Sequence, residues 1–600
     1  MKIIITPGAC RRLCLALCLS IPAIFSTVSA KDAAPARWSA RNAAGTNVSV
    51  KNSYATYAVP EGYPYSRFDA PEFNVRVNGK AWCGLYEDLN HKAQQMVFGQ
   101  FSFSEGKRQR VEVICKEPFD TFRILPANVD IADCVRTGPS SLSFTIDRPK
   151  QNITFVFDEK FQDRAVLHLF CNPIEKPHKD ATHYFGPGYH NLRDGGATGN
   201  LTITGDKTVY IAPGAVVDGS ITCHRLTTGG VSGQGILVNS DSRFRSINNS
   251  ECHGGRIENI IVHSRCNSWQ VVYHRCDGMT VDGIRVVSAF YRSNDGFDLT
   301  GCSNLTFKDC FIRAADDCVA IKGLEQSITP PEQRAPNSNL SFSGMQLWSD
   351  SNNAFGIGAE TVASAYENIS FTDSDVIYDW DDIYNPEKLF YQSSLNICCM
   401  SGTYFDNIRY ENIRLHHSDR IIGLSYIDNF YFGSIVTKHT DPGDMKNIVF
   451  KDIISYTNSG KSNSNEVRFE AWYGDDGTPR KAIHDITFDN VQVDGKVLES
   501  FDDPHIIHNN REGDELIYDI KFINTSAGIT APGTDTLAVK LTGSCLIFPE
   551  GTSQWAVYNT LGTLVATGTE SETDTARFTP GIYLLQFTTN GVTANTKLKI

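Results

Sequence analysis

The 600-residue chain is short of several things that would point its reading elsewhere. Beyond residue 30 it has no apolar run long enough to cross a bilayer, which takes about 20 residues as a helix, so no transmembrane segment is expected. It has no basic excess: 55 Lys and Arg stand against 68 Asp and Glu, a formal net charge of −13. Neutralising a phosphate backbone needs clustered cations, so nucleic acid is excluded as a partner. Although it contains 17 cysteines, it has no CxxC pair and no Cys/His spacing of the kind that holds zinc. No metal and no other cofactor is called for. Long amphipathic helical patterns are missing too, which leaves an all-β chain.

What is present begins with an export signal over residues 1–30. Arg11 and Arg12 precede an apolar run from Leu13 to Phe25, and Val28, Ser29 and Ala30 offer small residues for cleavage after Ala30. Such a signal implies export from the cytoplasm. Export permits disulfides. The cysteines beyond the signal nevertheless sit scattered, several in strand-like segments where a small thiol packs well, so mostly core cysteines with one or two bridges are expected.

An internal repeat sets the architecture. A phrase of an aliphatic, a polar and an aromatic or apolar residue recurs as MTV at Met279, LTF at Leu305, LSF at Leu340, ISF at Ile369, IRY at Ile408, IVF at Ile448 and ITF at Ile486. Asn or Asp precedes most of them, as at Asn304, Asn339, Asn368, Asn407, Asn447 and Asp485. Alternation with period two puts the apolar side chains on one face. A coil with one apolar stripe is unstable alone and must stack on its neighbours. Intervals of about 21 to 40 residues fit a right-handed parallel β-helix with loops of varying length. We expect it over 176–530, after an N-terminal β-sandwich over 31–175 built from segments such as FNVRVNG and QRVEVIC. A small C-terminal β-sandwich is expected over 531–600. With its GIYLLQ strand and basic KLKI ending, that tail is similar to the C-terminal sorting domains of Bacteroidota, which implies outer-membrane export machinery as a partner and a secreted, periplasmic or outer-membrane-surface location in a Gram-negative bacterium.

The chemistry concentrates between Asn267 and Gly323. Asp295 and Asp316 lie one short coil apart, and neighbouring coils are about 4.8 Å apart, so their carboxylates should sit one above the other. Asp317 follows at once, and both Asp316 and Asp317 can face one cleft only at a bend or strand end. Mutual repulsion raises the pKa of at least one of three such carboxylates. Glycoside hydrolysis needs that pairing: a protonated acid for the leaving oxygen and an ionised carboxylate for water or attack. Lys322 is expected to pair with these aspartates. Trp269, Trp348 and Trp380 hold similar places in their coils and offer stacking faces for sugar; Glu360 could contact a hydroxyl.

SNDG at Ser293–Gly296 and DDCVAIKG at Asp316–Gly323 resemble the signatures of the polygalacturonase-type glycoside hydrolases, and GCSNLTFKDC between them extends the likeness. The resemblance implies a secreted hydrolase that cleaves a polysaccharide with inversion. It makes Asp316 the general acid, with Asp295 and Asp317 on the attacking water. Two departures stand out. Asn353, in NNAFGIGA, occupies the place of the family's His, and the family's basic RIK clamp for a uronate is replaced by DVIYDWDDIYNPEK. Asp379, Asp381 and Asp382 there would repel galacturonate. In layout the chain also resembles the dextranase-type hydrolases, a β-sandwich joined to a β-helix that acts on a neutral α-glucan. The substrate-binding residues expected are Asn353, Glu360, Lys322 and Trp380. Two other functions remain open. One is a polysaccharide lyase on the same fold, using an Arg or Lys base and bound calcium, for which Arg292 and Arg313, each three residues before its Asp, could stack as the carboxylates do; the other is a non-catalytic glycan-binding β-helix.

Overall fold

The computed structural model describes residues 48–51, 53–65, 72–380, 392–427, 440–456, 465–474, 477–524 and shorter stretches between 540 and 599. The expected export signal, Asp381 and Asp382 lie outside the described residues.

Each recurrence of the aliphatic–polar–aromatic phrase is a strand paired in parallel with the same phrase one coil on. Phe307 lies beside Phe342, Phe342 beside Phe371, and the column continues through Tyr410, Phe450 and Phe488. Their rings stack inside the coil, Phe307 on Phe342 at 4.5 Å and Tyr410 on Phe450 at 5.0 Å between centroids. The preceding Asn and Asp turn the chain into this strand. Asn304, Asn339, Asn368, Asn407, Asn447 and Asp485 all have positive φ, near 55°, a conformation these short polar side chains tolerate. The asparagines also bond to one another between coils, Asn339 Nδ2 donating to Asn304 Oδ1 at 2.9 Å and Asn368 Nδ2 to Asn339 Oδ1 at 3.0 Å.

A coil has three strands, for example Thr280–Asp282, Arg285–Ser288 and Phe297–Thr300. First and second strands join one sheet, and third strands stack into a separate parallel sheet of 11. Further along, first and second strands run together, as in Ala365–Asp379 and Tyr404–Leu415. The interior is a continuous aliphatic and aromatic core.

Two sheets form the N-terminal sandwich. One contains Leu85–Leu89, Gln95–Phe103, Gln151–Phe157 and Val166–Pro173; the other contains Phe73–Val77, Gln109–Cys115 and Ser141–Ile146. The sandwich packs Phe98, Val156 and Phe170 onto the second strands of the coils, at Val216, Val238, Val287, Phe311 and Trp348. The C-terminal strands form two small sheets around Phe548, Trp555, Leu585 and Phe587. No helix among the described residues is long and apolar enough to cross a membrane.

Among the described residues the expectation of one or two disulfides is corrected: thirteen cysteines are free there, twelve of them buried. Cys252, Cys276 and Cys302 hydrogen-bond along the coil stack and serve as packing groups, and burial pushes thiols such as Cys83 and Cys310 up to about 12.

Candidate active site

The site lies where the second strand of a coil turns into the third. Asn294 fixes the first corner: its Oδ1 accepts the Tyr291 N–H at 2.6 Å, and its Nδ2 donates to the carbonyls of Cys266 and Ser268 at 2.7 and 2.9 Å. Asp295 stands on that corner. The Gly296 N–H then donates to Asp317 O at 2.8 Å and the Phe297 N–H to Cys318 O at 2.9 Å, which sets Asp295 opposite Asp317. Coil-to-coil stacking therefore pairs Asp295 with Asp317, and Asp316 is turned aside at the bend. Gly296 is needed for this approach, because a Cβ there would lie 2.5 Å from Cys318 O. The three carboxylates converge, with one oxygen of each within 4.8 Å of the others. That spacing would admit a cation, and the Lys322 ammonium supplies a positive charge at the same place.

Lys322 Nζ lies 2.8 Å from Asp295 Oδ2 and 2.9 Å from Asp298 Oδ1, and 4.0 Å from the ring centroid of Trp269. Burial acts to lower the pKa of Lys322; Asp295, Asp298 and Glu360 outweigh it and hold the ammonium well above its ordinary range. Asp298 is a carboxylate that the motif analysis passed over. It is fully buried, and burial, reinforced by Asp295, pushes its pKa well up despite the ammonium. Period-two alternation carries the signal: Phe297 and Leu299 face the core, so Asp298 and Thr300 share the other face with Ala320 and Lys322.

The next coil grips the acidic pair. Asn352 Nδ2 donates to Asp316 Oδ1 at 2.5 Å, and Asn353 Nδ2 donates to Asp317 Oδ1 at 2.7 Å. Asn353 Oδ1 is itself anchored by the Ser393 N–H at 3.0 Å and Asn396 Nδ2 at 2.9 Å. Ser349 Oγ donates to Asp316 O at 3.0 Å and the Ser351 hydroxyl to Ala315 O. Burial and the neighbouring Asp295 raise Asp316 to about 7, even with the Asn352 N–H opposing. Burial, Asp316 and Asp295 push Asp317 well above the carboxylate range. Asp316 and Asp317 titrate together, and the pair retains protons near neutrality.

Glu360 is half-buried on a bulge. Ile321 pairs with Ile357 and Gly323 with Thr361, so Gly358, Ala359 and Glu360 face Lys322 alone. Gly358 has φ +105°, and a Cβ would lie 1.8 Å from Cys398 O. Gly358→Ala is expected to destabilise the protein by more than about 1 kcal/mol, read as a lowered Tm.

Four expected residues thus meet around one corner with Trp269: Asp295, Asp316, Asp317 and Lys322, joined by Asn353 and, through charge, by Glu360. The others go elsewhere. Trp380 stacks on Tyr378 and His417, at 6.0 and 5.8 Å, in the packing against the sandwich. Trp348 is fully buried in that packing. Arg313 is buried there too: its Nη2 donates to Gln94 Oε1 at 2.7 Å, and Asp350 lies 3.4 Å away. It stands under the sandwich rather than in the cleft, so a lyase role for it is corrected.

The model of glycosyl hydrolases family 28 matches residues 201–345. No curated protein matches the chain in sequence. Among solved structures, Dex49A from Penicillium minioluteum is similar, with 13% identity and a TM-score of 0.57 over 79% of this chain and 99% of that one. That likeness is one of fold. A polygalacturonase from Erwinia carotovora ssp. carotovora aligns with 16% identity and a TM-score of 0.37, covering 56% of this chain and 90% of its own. A family 28 exopolygalacturonase from Yersinia enterocolitica aligns with 10% identity and a TM-score of 0.36, covering 73% and 98%.

Proposed function

With its carboxylate coils answering to glycosyl hydrolases family 28, the chain is a glycoside hydrolase, and we propose that it cleaves a polysaccharide with inversion. Asp316 is the general acid. Its carboxyl, raised to about 7, still holds a proton to give to the leaving oxygen near neutral pH. Asp295, paired with the Lys322 ammonium, draws the proton from the attacking water, and Asp317, held by Asn353, positions that water. Nearest oxygens within 4.8 Å supports this reading, because one water can reach two carboxylates across such a gap.

The same spacing favours a second route. Carboxyl groups about 5–5.5 Å apart are usual in retaining enzymes, where one attacks the sugar directly. Proton NMR of the first-formed reducing end separates the two: we expect the opposite anomer to the bond cleaved, and a retained anomer would replace inversion with the covalent route. A product absorbing in the ultraviolet would instead mean a lyase.

For substrate we favour a neutral α-glucan such as dextran over a pectin-related glycan. The sequence has no RIK clamp, and Asp379 is buried with Ser394 donating to it at 2.7 Å. Reducing-end release on dextran and on polygalacturonate tests this choice. We further propose that residues 176–530 are the catalytic domain and 31–175 the sandwich. Residues 1–30 and 531–600 would serve export to the periplasm or beyond, through the outer-membrane machinery.

A further inference from the structure

Resting on Asp316 as the acid, we propose that the N-terminal sandwich completes the active site, with His91 as a positioning residue for that acid. His91 is at the tip of the hairpin joining Leu85–Leu89 to Gln95–Phe103. The tip is preformed, because Asn90 Oδ1 accepts the Lys92 and Gln94 N–H groups at 3.0 and 2.8 Å. It reaches three successive coils. The His91 N–H donates to Ala289 O at 2.8 Å, on the coil of Asp295. Lys92 Nζ donates to Asp350 O at 2.5 Å, and His91 Nε2 lies 3.2 Å from Ser351 Oγ, both on the coil that grips the acids. Ala315, next to Asp316, packs with Ala289 and Met96 beneath the hairpin.

The Ser351 hydroxyl proton is committed to Ala315 O. Ser351 Oγ therefore accepts from His91, which fixes the Nε2–H tautomer. A chain of two hydrogen bonds runs from the sandwich to the residue before Asp316. Asp316 itself is held by Ser349 through its carbonyl and by Asn352 through its carboxylate. The loop Ser349–Asn353 is thus a clamp on the acid, and His91 braces that clamp from outside. The charged groups acting on the ring are Asp350, Lys92 and Arg292; burial dominates and lowers His91 to about 4, so the brace stays neutral across the working range.

The test uses the full chain with His91→Ala, His91→Gln and Ser351→Ala. A small displacement of a reacting group costs rate far more than binding. In His91→Ala we expect kcat to fall about tenfold with KM within about twofold, and the basic limb of the pH profile to move while Tm holds. Gln can still donate to Ser351 Oγ, so His91→Gln should recover most of the rate. Ser351→Ala should reproduce His91→Ala, and the double variant should be no slower than either. Parent kcat and parent pH limb in His91→Ala would overturn the inference. So would a loss of rate that follows a lowered Tm and is not restored by Gln. An active Asp316→Asn variant would remove the acid assignment and this inference with it; an inactive one beside an unaffected His91→Ala removes only the role of His91.

Discussion

Asp316→Asn should lose kcat by about 10³-fold or more, because the leaving oxygen is then left without its proton donor. The parent's rate should fall as pH rises through about 7, the value to which Asp316 is raised, since only the protonated form serves. The stability effect has the opposite sign to the kinetic one. A carboxyl whose pKa is raised by folding stabilises fully below its unfolded value, near 3.9, and that stability is lost as pH climbs through about 7. The neutral amide does not share this loss. Asp316→Asn is therefore expected to melt above the parent at pH 8, with the difference closing toward pH 4. Calorimetry at the two pH values, beside reducing-sugar assays, checks both halves. A variant that hydrolyses at the parent rate sinks Asp316 as the acid.

Lys322→Met should be the most destabilising single change at the site. The ammonium is nearly sealed from solvent and lies within 2.9 Å of both Asp295 and Asp298, which are as deeply buried. Removing one partner of a buried pair costs about 3–5 kcal/mol, because the remaining charge has no compensation. Here Asp298, whose pKa burial already pushes well up, can hold a proton instead. The loss should be largest at pH 8 and smallest near pH 5, and denaturant titrations at both values measure it. Activity should fall as well, since the ammonium that holds Asp295 in place at 2.8 Å is gone. Adding Asp298→Asn to Lys322→Met should return part of the stability at pH 8, because the amide cannot ionise. A single variant as stable as the parent at pH 8 would show that the ammonium is not what keeps these acids in place.

The coil stack was legible because two independent signals coincide in each repeat. The inward phrase has period two, and the Asn or Asp before it supplies the positive φ that turns the chain into the strand. The acids were legible for a similar reason, since Asp295 and the Asp316–Asp317 pair fall one coil apart at corners. The alignment itself was less so. Spacing places Asp316 over Asp295, whereas the hydrogen bonds at Gly296 and Phe297 place Asp317 there. Asp298 could have been found from strand alternation beside Lys322. His91 could not: it meets Ser351 across 260 residues, and no local pattern marks a hairpin tip as half of an interface. Trp348 and Arg313 mislead for the matching reason. A second strand alternates between core and outside, and the outside here is the sandwich rather than water.

Asp295, Asp316, Asp317 and the asparagines that grip them leave the β-helix at one corner, between the second and third strands. The parallel ladders are made elsewhere, by the strands themselves. Lengthening or exchanging one corner loop leaves those ladders paired. A glycan lying along the axis meets a different loop at each step of about 4.8 Å. Preference for a sugar or a linkage is therefore divisible among segments that can diverge one at a time. The carboxylate centre passes unaltered through such drift, and descendants of a single scaffold can come to digest unrelated polymers.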